Sequence, residues 1–439
     1  MNTIETNRKI GRKESKDSII KGEEKLFEVY DARNVIEEKN LILGIDGGST
    51  QTRVMLADGD FDGTIDTDGF YTIPSDHAKL DNERVINAKS DKLYEILDSF
   101  IVDTRDSVSS KIGRMRVVRG TKLIDSNIGP LKMTSTDQKI HESTFYTNLV
   151  DSIGYAVLQK YQTRVPSKVN VIAGIALPPD DNRLPQNREK FRKNIIGTYE
   201  WTHRESNVST SISILDINTM TEPEAFAEGY YAAQGEEMPE VVLVINMGGR
   251  SIGIEIIRNG KLIDAASITL PYGGNQFATE VGTRILESEN NNLTRPLPLD
   301  KLKEIILTGK MTLGRSSIDV VDEIKEAQQV FAARVFNGIS VNVIDTIESL
   351  DFNAISEVLV SGGLIRRGAY DASIADNLAA MFKEKCETTG FTVVEENYIP
   401  VGLMIDPLNQ NPEFIYGEEV EEDESELDET SEANVVTES

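Results

Sequence analysis

The chain has 439 residues, a formal net charge of −27 and one cysteine. That length exceeds the size at which a single hydrophobic core stops growing, so we expect two lobes. The single cysteine excludes an internal disulfide framework and a cysteine-based metal site, no apolar run reaches the roughly 18 residues of a membrane span, and the charged N-terminus predicts a cytoplasmic protein without a secretory leader.

Apolar periodicity predicts strands that alternate with helices, which is typical of α/β lobes. The predicted strands are residues 41–46, 52–57, 170–177, 240–246, 252–257 and 356–361. The predicted helices are residues 143–161, 187–195, 222–234, 275–288, 318–350 and 371–387. Residues 1–40 precede them as an N-terminal extension of mixed charge, which is either a partly ordered leader, as we favour, or a docking segment.

A glycine-rich turn joins the first two predicted strands in LILGIDGGSTQTRVMLA, residues 41–57. Such a turn can present successive backbone N–H groups and the hydroxyls of Ser49 and Thr50 to an anion. Asp46, at the end of the first strand, is suited to holding a cation or its water shell. Because most glycine-rich hairpins only turn the chain, this segment by itself is equally consistent with a plain hairpin.

Two later segments repeat this pattern along the chain. Residues 241–257 (VVLVINMGGRSIGIEII) again run from a strand through a polar residue, here Asn246, and a glycine pair into a second strand. Residues 356–364 (SEVLVSGGL) run from a strand into Ser361 and another glycine pair, where a nucleoside can approach the backbone closely. Three such segments in this order favour a nucleotide site over unrelated turns.

In these segments the chain resembles the actin-like ATPases, and among them most closely the ParM-type bacterial actins that segregate plasmids. Residues 170–233 and 397–404 (NYIPVGLM) follow the order and approximate spacing of ParM, so the resemblance covers about residues 41–405. It implies an α/β, actin-like two-lobed ATPase fold with the nucleotide in the interlobe cleft. Lobe I would comprise residues 41–220 plus 397–416, and lobe II residues 235–396.

The resemblance also implies roles for individual residues. Asp46 would hold Mg²⁺ through water, since Mg²⁺ keeps several waters and takes one or two carboxylates. Arg53 would add positive charge if its side chain pointed into the cleft. The residues that would contact ATP or GTP are Gly48, Ser49, Thr50 and Gln51 in the first hairpin, Gly248, Gly249 and Arg250 in the second, and Gly362, Gly363 and Leu364 at the adenosine.

A carboxylate at the start of the connecting helix would orient the water that attacks the γ-phosphate. Two candidates occur in TMTEPEAFAEGYY, Glu222 and Glu224, and residues two apart on a helix do not share a face. Alignment on the ParM pattern favours Glu224, whereas the Glu-Pro pair of other family members favours Glu222. On the sequence we favour Glu224.

Two residues of the second hairpin depart from the family. Asn246 stands where relatives carry Asp, and Arg250 stands where they carry Thr or Ser. Asparagine still hydrogen-bonds a metal-bound water but brings no charge, while Arg250 can contact a phosphate. We therefore expect intact nucleotide binding with slow hydrolysis, to which Asn246 contributes.

Eleven acidic residues and no lysine or arginine lie in residues 417–439, which predicts a disordered acidic tail. The rest of the chain still carries −16, which disfavours direct binding to nucleic acid. The resemblance then implies filaments that assemble with nucleotide, weaken on hydrolysis and move plasmid DNA through a ParR-like adaptor on a centromere-like site. A small-molecule kinase of the sugar-kinase type is the alternative, and a chaperone ATPase is disfavoured because only the tail follows residue 416.

Overall fold

The computed structural model describes residues 38–48, 51–65, 69–75, 77–80, 97–105, 111–119, 139–288, 293, 295–314, 316–344, 351–365, 373–386 and 389–417. Ser49, Thr50, residues 1–37 of the predicted extension and nearly all of the predicted acidic tail lie outside these described residues. None of the described helices combines the length and the apolar character needed to cross a bilayer.

The first sheet has nine strands in the order β3-β2-β1-β7-β9-β8-β5-β6-β4. They are β1 (Glu38–Gly47), β2 (Gln51–Ala57), β3 (Tyr71–Pro74), β4 (His77–Leu80), β5 (Leu97–Asp103), β6 (Arg114–Arg119), β7 (Lys168–Leu177), β8 (Gly197–His203) and β9 (Val208–Thr221). Strand β1 pairs antiparallel with β2 and parallel with β7. This antiparallel hairpin beside a parallel strand is the unit that carries the first glycine-rich turn.

The second sheet repeats that unit. Its strands are β10 (Val241–Met247), β11 (Ile252–Arg258), β12 (Lys261–Leu262), β13 (Ile268–Leu270), β16 (Glu357–Ser361) and β17 (Gly390–Val393). They run in the order β12-β11-β10-β16-β17, with β13 also paired to β11. Strand β10 pairs antiparallel with β11 and parallel with β16. Each sheet therefore contains a hairpin whose first strand also pairs with a parallel neighbour.

Ten α-helices lie in the described part of the chain. They are α1 (Ser143–Tyr161), α2 (Pro179–Asn182), α3 (Pro185–Ile195), α4 (Glu222–Gln234), α5 (Gly274–Glu287), α6 (Leu299–Thr308), α7 (Val321–Ile339), α8 (Ile374–Lys385), α9 (Ile399–Gln410) and α10 (Glu413–Tyr416). The six predicted strands and five of the six predicted helices are confirmed to within three residues at each end.

The predicted helix over residues 318–350 is wrong at its start. Residues 318–319 belong to strand β15 (Ser316–Asp319), which pairs antiparallel with β14 (Lys310–Leu313). Gly314 supplies the left-handed turn between the strands, at φ 61°. Asp319 accepts a hydrogen bond from the amide of Val321 at 3.0 Å, so the helix begins only there. A π-helical turn follows over Ser340–Ile344, and residues 345–350 lie outside the described residues.

Helix α9 packs so closely on the first sheet that two strand positions require glycine. A Cβ atom at Gly44 would lie 1.9 Å from the carbonyl oxygen of Pro400, and one at Gly174 would lie 1.8 Å from that of Leu403. Gly229 allows α4 a similar approach to the start of α9. The core around these two helices takes residues from β1 and from β10, so it joins the two sheets.

Candidate functional site

The two hairpins have the same turn geometry. Asp46 is the last residue but one of β1, and Asn246 is the last residue but one of β10. In each turn the amide of the glycine two residues later donates back to the carbonyl oxygen of Asp46 or Asn246, at 3.1 Å and 3.2 Å respectively. These bonds align Asp46 with Asn246 and Gly48 with Gly248.

Glycine is required at the aligned position of both turns. A Cβ atom on Gly48 would lie 2.6 Å from the carbonyl oxygen of Gln51, and one on Gly248 would lie 2.8 Å from that of Ser251. The glycine pairs themselves are offset by one residue, because Met247 occupies the place of the first glycine of the earlier hairpin. Backbone hydrogen bonds thus align Gly48 with Gly248, whereas an alignment of the two glycine pairs would put Gly47 opposite Gly248. The two alignments differ by one residue.

Two side chains in the described part of the chain contact Oδ2 of the buried Asp46 carboxylate. Arg53, its partner across the hairpin, contacts Oδ2 through Nη1 at 3.4 Å. Asn397, which precedes α9, donates to the same oxygen from Nδ2 at 3.2 Å. The Arg53 side chain thus lies on the Asp46 face of the hairpin, where its Nη2 also contacts Oε1 of Gln51 at 3.4 Å. The first hairpin is therefore linked by a hydrogen bond to the segment that precedes α9.

The second hairpin is linked by a hydrogen bond to helix α4, the connecting helix. Asn246 donates from Nδ2 to Oε2 of Glu222, the first residue of α4, at 3.1 Å. Its Oδ1 accepts from the hydroxyl of Ser361 at the end of the parallel strand β16, at 3.3 Å. A neutral amide serves this position because it donates to a carboxylate and accepts from a hydroxyl at once.

Glu224 has a different role, at the start of α4. Its carboxylate accepts from the amide of Thr221, and its own amide donates to the Thr221 hydroxyl, which is a capping box. Burial raises its pKa. It also lines a polar cavity of about 250 Å³, together with Asn182, Arg188 and Asp264. The structure therefore brings Glu222, and not Glu224, to the second hairpin.

A second buried carboxylate lies beside that cap. Glu255 of β11 is fully buried and accepts from the hydroxyls of Thr221 and Ser267. Burial raises the pKa of Glu255 to about 8. It joins the end of the first sheet to the second sheet directly, because Thr221 ends β9 and Glu255 belongs to β11.

Helix α5 supports the second hairpin. The amides of Gly274 and Asn275 at its start donate to the carbonyl oxygens of Gly248 and Gly249, at 3.0 Å and 2.7 Å. Arg250 is half-buried in the same turn. The carbonyl groups of this turn are thereby held on the helix, which fixes the path of its backbone.

Of the residues predicted at the adenosine, Gly362 lies against the second hairpin and Leu364 lies against the start of α5. Gly362 has a φ of 103°, and a Cβ atom there would lie 2.3 Å from the carbonyl oxygen of Met247. Gly363 has open space where a side chain would be. A Cβ atom on Gly274 would lie 3.2 Å from Leu364. Gly362 is packed closely against Met247, whereas Gly363 faces open space, so the backbone at Gly363 is accessible.

Sequence reasoning missed three residues of the site. They are Asn397 beside Asp46, Ser361 as a partner of Asn246, and Ser75, whose hydroxyl donates to the carbonyl oxygen of Gly48 at 2.7 Å. Ser361 ends a predicted strand, which is a readable signal. Asn397 and Ser75 carry no comparable pattern, since their partners lie far away in sequence.

Comparison with known proteins shows the fold. No protein-family model matches the sequence, and no curated protein is significantly similar to it. Solved structures do match, each at 14% sequence identity: an archaeal actin homologue has a TM-score of 0.60, and the match covers 85% of this chain and 99% of that one. ParM of Bacillus thuringiensis with ATP has a TM-score of 0.55, with 87% of this chain and 100% of that one covered. The Alp12 filament has a TM-score of 0.54, with 85% of this chain and 99% of that one covered. The predicted two-lobed, actin-like α/β fold is therefore confirmed.

Proposed function

We propose that this chain is a nucleotide-dependent, filament-forming bacterial actin that binds and hydrolyses ATP or GTP. The observation that carries the proposal is the pair of equivalent hairpins, one in each sheet, with Asp46 and Asn246 at matching positions. The fold supports it, because structures that share the fold include one solved with ATP and one solved as a filament. In this proposal lobe I is residues 41–220 plus 397–416, and lobe II is residues 235–396.

The nucleotide would lie between the hairpins. Gly48, Ser49, Thr50 and Gln51 would contact its phosphates from one side, and Gly248, Gly249 and Arg250 from the other. Gly362, Gly363 and Leu364 would line the adenosine. The open space at Gly249 and at Gly363 fits this assignment, since a phosphate or a base can approach the backbone there.

Asp46 would hold Mg²⁺ through its bound waters. The carboxylate fits a hard cation held through water, because it is buried at the strand end, and its contacts with the Asn397 amide at 3.2 Å and the Arg53 guanidinium at 3.4 Å are both made by Oδ2. Mg²⁺ bound with a nucleotide neutralises charge that develops on the β- and γ-phosphates. Asn397 would orient the carboxylate from behind, as hydrogen-bond partners of metal-holding residues commonly do.

Glu222 is our candidate for the residue that positions the attacking water, in place of Glu224. Its carboxylate lies at the second hairpin, within hydrogen-bond distance of Asn246. Glu224 is already engaged by the backbone amide of Thr221. Asn246 would orient Glu222 through this hydrogen bond. Because asparagine adds no negative charge that would attract Mg²⁺, we expect slow hydrolysis.

We further propose that a ParR-like adaptor connects the filament to a centromere-like DNA site in the cytoplasm. The support is electrostatic: a chain of net charge −27 is repelled by DNA phosphates, so a basic partner must make that contact. The acidic tail is a candidate surface for such a partner.

Electron microscopy and sedimentation of the full chain test the proposal. We expect filaments with Mg-ATP or Mg-GTP, longer-lived filaments with a non-hydrolysable analogue, and none without nucleotide. A protein that stays monomeric under all these conditions contradicts filament formation. If it also transfers phosphate to a sugar, the kinase alternative replaces this proposal.

A further inference from the structure

We propose that a buried relay of hydrogen bonds, formed by Arg119, Asn148, Thr52 and Ser75, positions the first hairpin for its anion. The relay ends on the carbonyl oxygen of Gly48. It rests on the proposed function, since its effect is measured as nucleotide affinity. All four side chains belong to lobe I, and they are named the Gly48 relay below.

The relay is continuous and excluded from solvent. Arg119 of β6 donates from Nη1 to Oδ1 of Asn148, and Asn148 of α1 donates from Nδ2 to the hydroxyl of Thr52. The hydroxyls of Thr52 and Ser75 are 3.1 Å apart, and Ser75 donates to the Gly48 carbonyl at 2.7 Å. Each of the four side chains is at most 5% exposed.

The direction of every hydrogen bond in the relay is fixed by chemistry. A guanidinium group only donates, so Asn148 must accept from Arg119 with its oxygen and donate to Thr52 with its nitrogen. A carbonyl oxygen only accepts, so the single proton of Ser75 goes to Gly48. The hydroxyl proton of Thr52 must then point to Ser75. All four donors therefore point the same way, from the cation to the turn.

The charged end of the relay is anchored. Asp151 of α1 accepts from Nε of Arg119 at 2.5 Å, and both side chains are fully buried. The other carboxylate oxygen of Asp151 accepts from Trp201 and Ser99, on strands β8 and β5. The ion pair is thus held by strands β5 and β8 of the first sheet, so the relay ties these strands to the turn.

Two consequences for the turn follow. Aligned hydrogen bonds in a low-dielectric interior polarise one another, so each bond strengthens the next. A donor on the Gly48 carbonyl also fixes the plane of the peptide unit to which that carbonyl belongs. A turn fixed before binding loses less conformational entropy on capturing an anion, which raises affinity. Ser75 and Thr52 are therefore positioning residues for the nucleotide.

Nucleotide affinity in single and double variants tests the relay. Thr52→Val keeps the shape of the side chain and removes the link, and Ser75→Ala removes the donor to Gly48. We expect each to raise the Kd for a fluorescent Mg-ATP or Mg-GTP analogue about tenfold, as the loss of a single buried hydrogen bond predicts. Thr52→Ser, which keeps the hydroxyl, should leave the Kd within about threefold of wild type.

The double variant separates a relay from two independent contacts. Because one missing link already interrupts the relay, the double variant should bind about as weakly as the worse single variant. The control is Thr202→Val, which breaks an exposed hydroxyl pair with Ser209 in the same sheet, 2.9 Å apart. Its Kd should equal that of wild type.

The outcomes distinguish this inference from the proposed function. Unchanged nucleotide affinity in Thr52→Val, or full additivity in the double variant, overturns the relay while wild-type binding upholds the nucleotide site. Wild-type protein that binds neither nucleotide overturns the proposed function and the relay together. A lower melting temperature in Thr52→Val without a change in Kd shows a purely structural role and also overturns the relay.

Discussion

The side-chain amide of Asn246 donates a hydrogen bond to the carboxylate of Glu222 across 3.1 Å, where the second hairpin meets the connecting helix. An aspartate at position 246 would place two carboxylates against each other, and like charges at this distance repel. The asparagine replaces that repulsion with an attraction. The asparagine at position 246, where ParM and its relatives carry aspartate, thus fits the position of the Glu222 carboxylate beside it.

Asn246→Asp should make the protein more dependent on Mg²⁺. Without metal, repulsion from Glu222 should lower the melting temperature. With Mg²⁺, the added charge should strengthen metal binding and raise hydrolysis roughly tenfold, since a bound metal ion offsets the repulsion. Phosphate release and melting curves in EDTA and in Mg²⁺ measure both effects. Asn246→Ala is the matched control, and phosphate release as fast as in wild type in that variant would contradict any role for the side chain.

Glu222→Gln and Glu224→Gln should separate the two candidate carboxylates. We expect Glu222→Gln to reduce hydrolysis by about 10²-fold, the usual effect of losing a group that handles a proton, while assembly with nucleotide persists. Glu224→Gln should leave the rate within about threefold of wild type, because glutamine also completes a capping box. Single-turnover phosphate release decides between them. The reverse order of effects would restore the original preference for Glu224.

The role of Glu224 was readable from the sequence. Thr221 and Glu224 have the three-residue spacing of a capping box at a helix start, and that pattern alone places the Glu224 side chain back on the helix. The ParM pattern favours a catalytic role at the same position instead. The two hairpins were predicted for the same kind of reason, because alternating apolar strands and glycine turns are local in the chain.

The remaining contacts of the site depend on distant partners. Asn397 contacts Asp46 from 351 residues away, and Asn148 contacts Thr52 from 96 residues away. No local pattern marks such residues, since any polar side chain that the fold brings close would serve. The one-residue offset between the glycine pairs could not be predicted from the sequence for a related reason. The backbone hydrogen bonds of the two turns define how the hairpins align, and the amino-acid sequence does not show these bonds.

Asp46→Asn should weaken nucleotide binding only when Mg²⁺ is present. The substitution keeps the size of the side chain and removes the charge that would attract the metal's water shell. We expect the Kd for Mg-nucleotide to rise at least about tenfold, and the Kd in EDTA to stay within about threefold. The exposed Asp62→Asn, in the loop after β2, is the control for a general charge effect. Equal losses with and without Mg²⁺ would contradict a metal role for Asp46.

The pH dependence of stability should reveal the buried Glu255. Burial raises its pKa to about 8 in the folded protein, against an ordinary value of 4.5. Between pH 4.5 and about 8 the folded protein therefore binds more protons than the unfolded chain, so the contribution of Glu255 to the free energy of unfolding falls as pH rises. Glu255→Gln stays neutral at every pH and should remove this part of the slope.

Melting curves from pH 5 to pH 9 measure the difference. We expect the melting temperature of Glu255→Gln to fall less than that of wild type between pH 5 and about 8. The difference between the two curves should be largest above pH 8, where the wild-type carboxylate is ionised in its buried position. The matched control is Glu236→Gln, which removes an exposed carboxylate just after helix α4, and its melting curve should follow that of wild type. Parallel curves for wild type and Glu255→Gln would show that Glu255 is already ionised at pH 5 in the folded state.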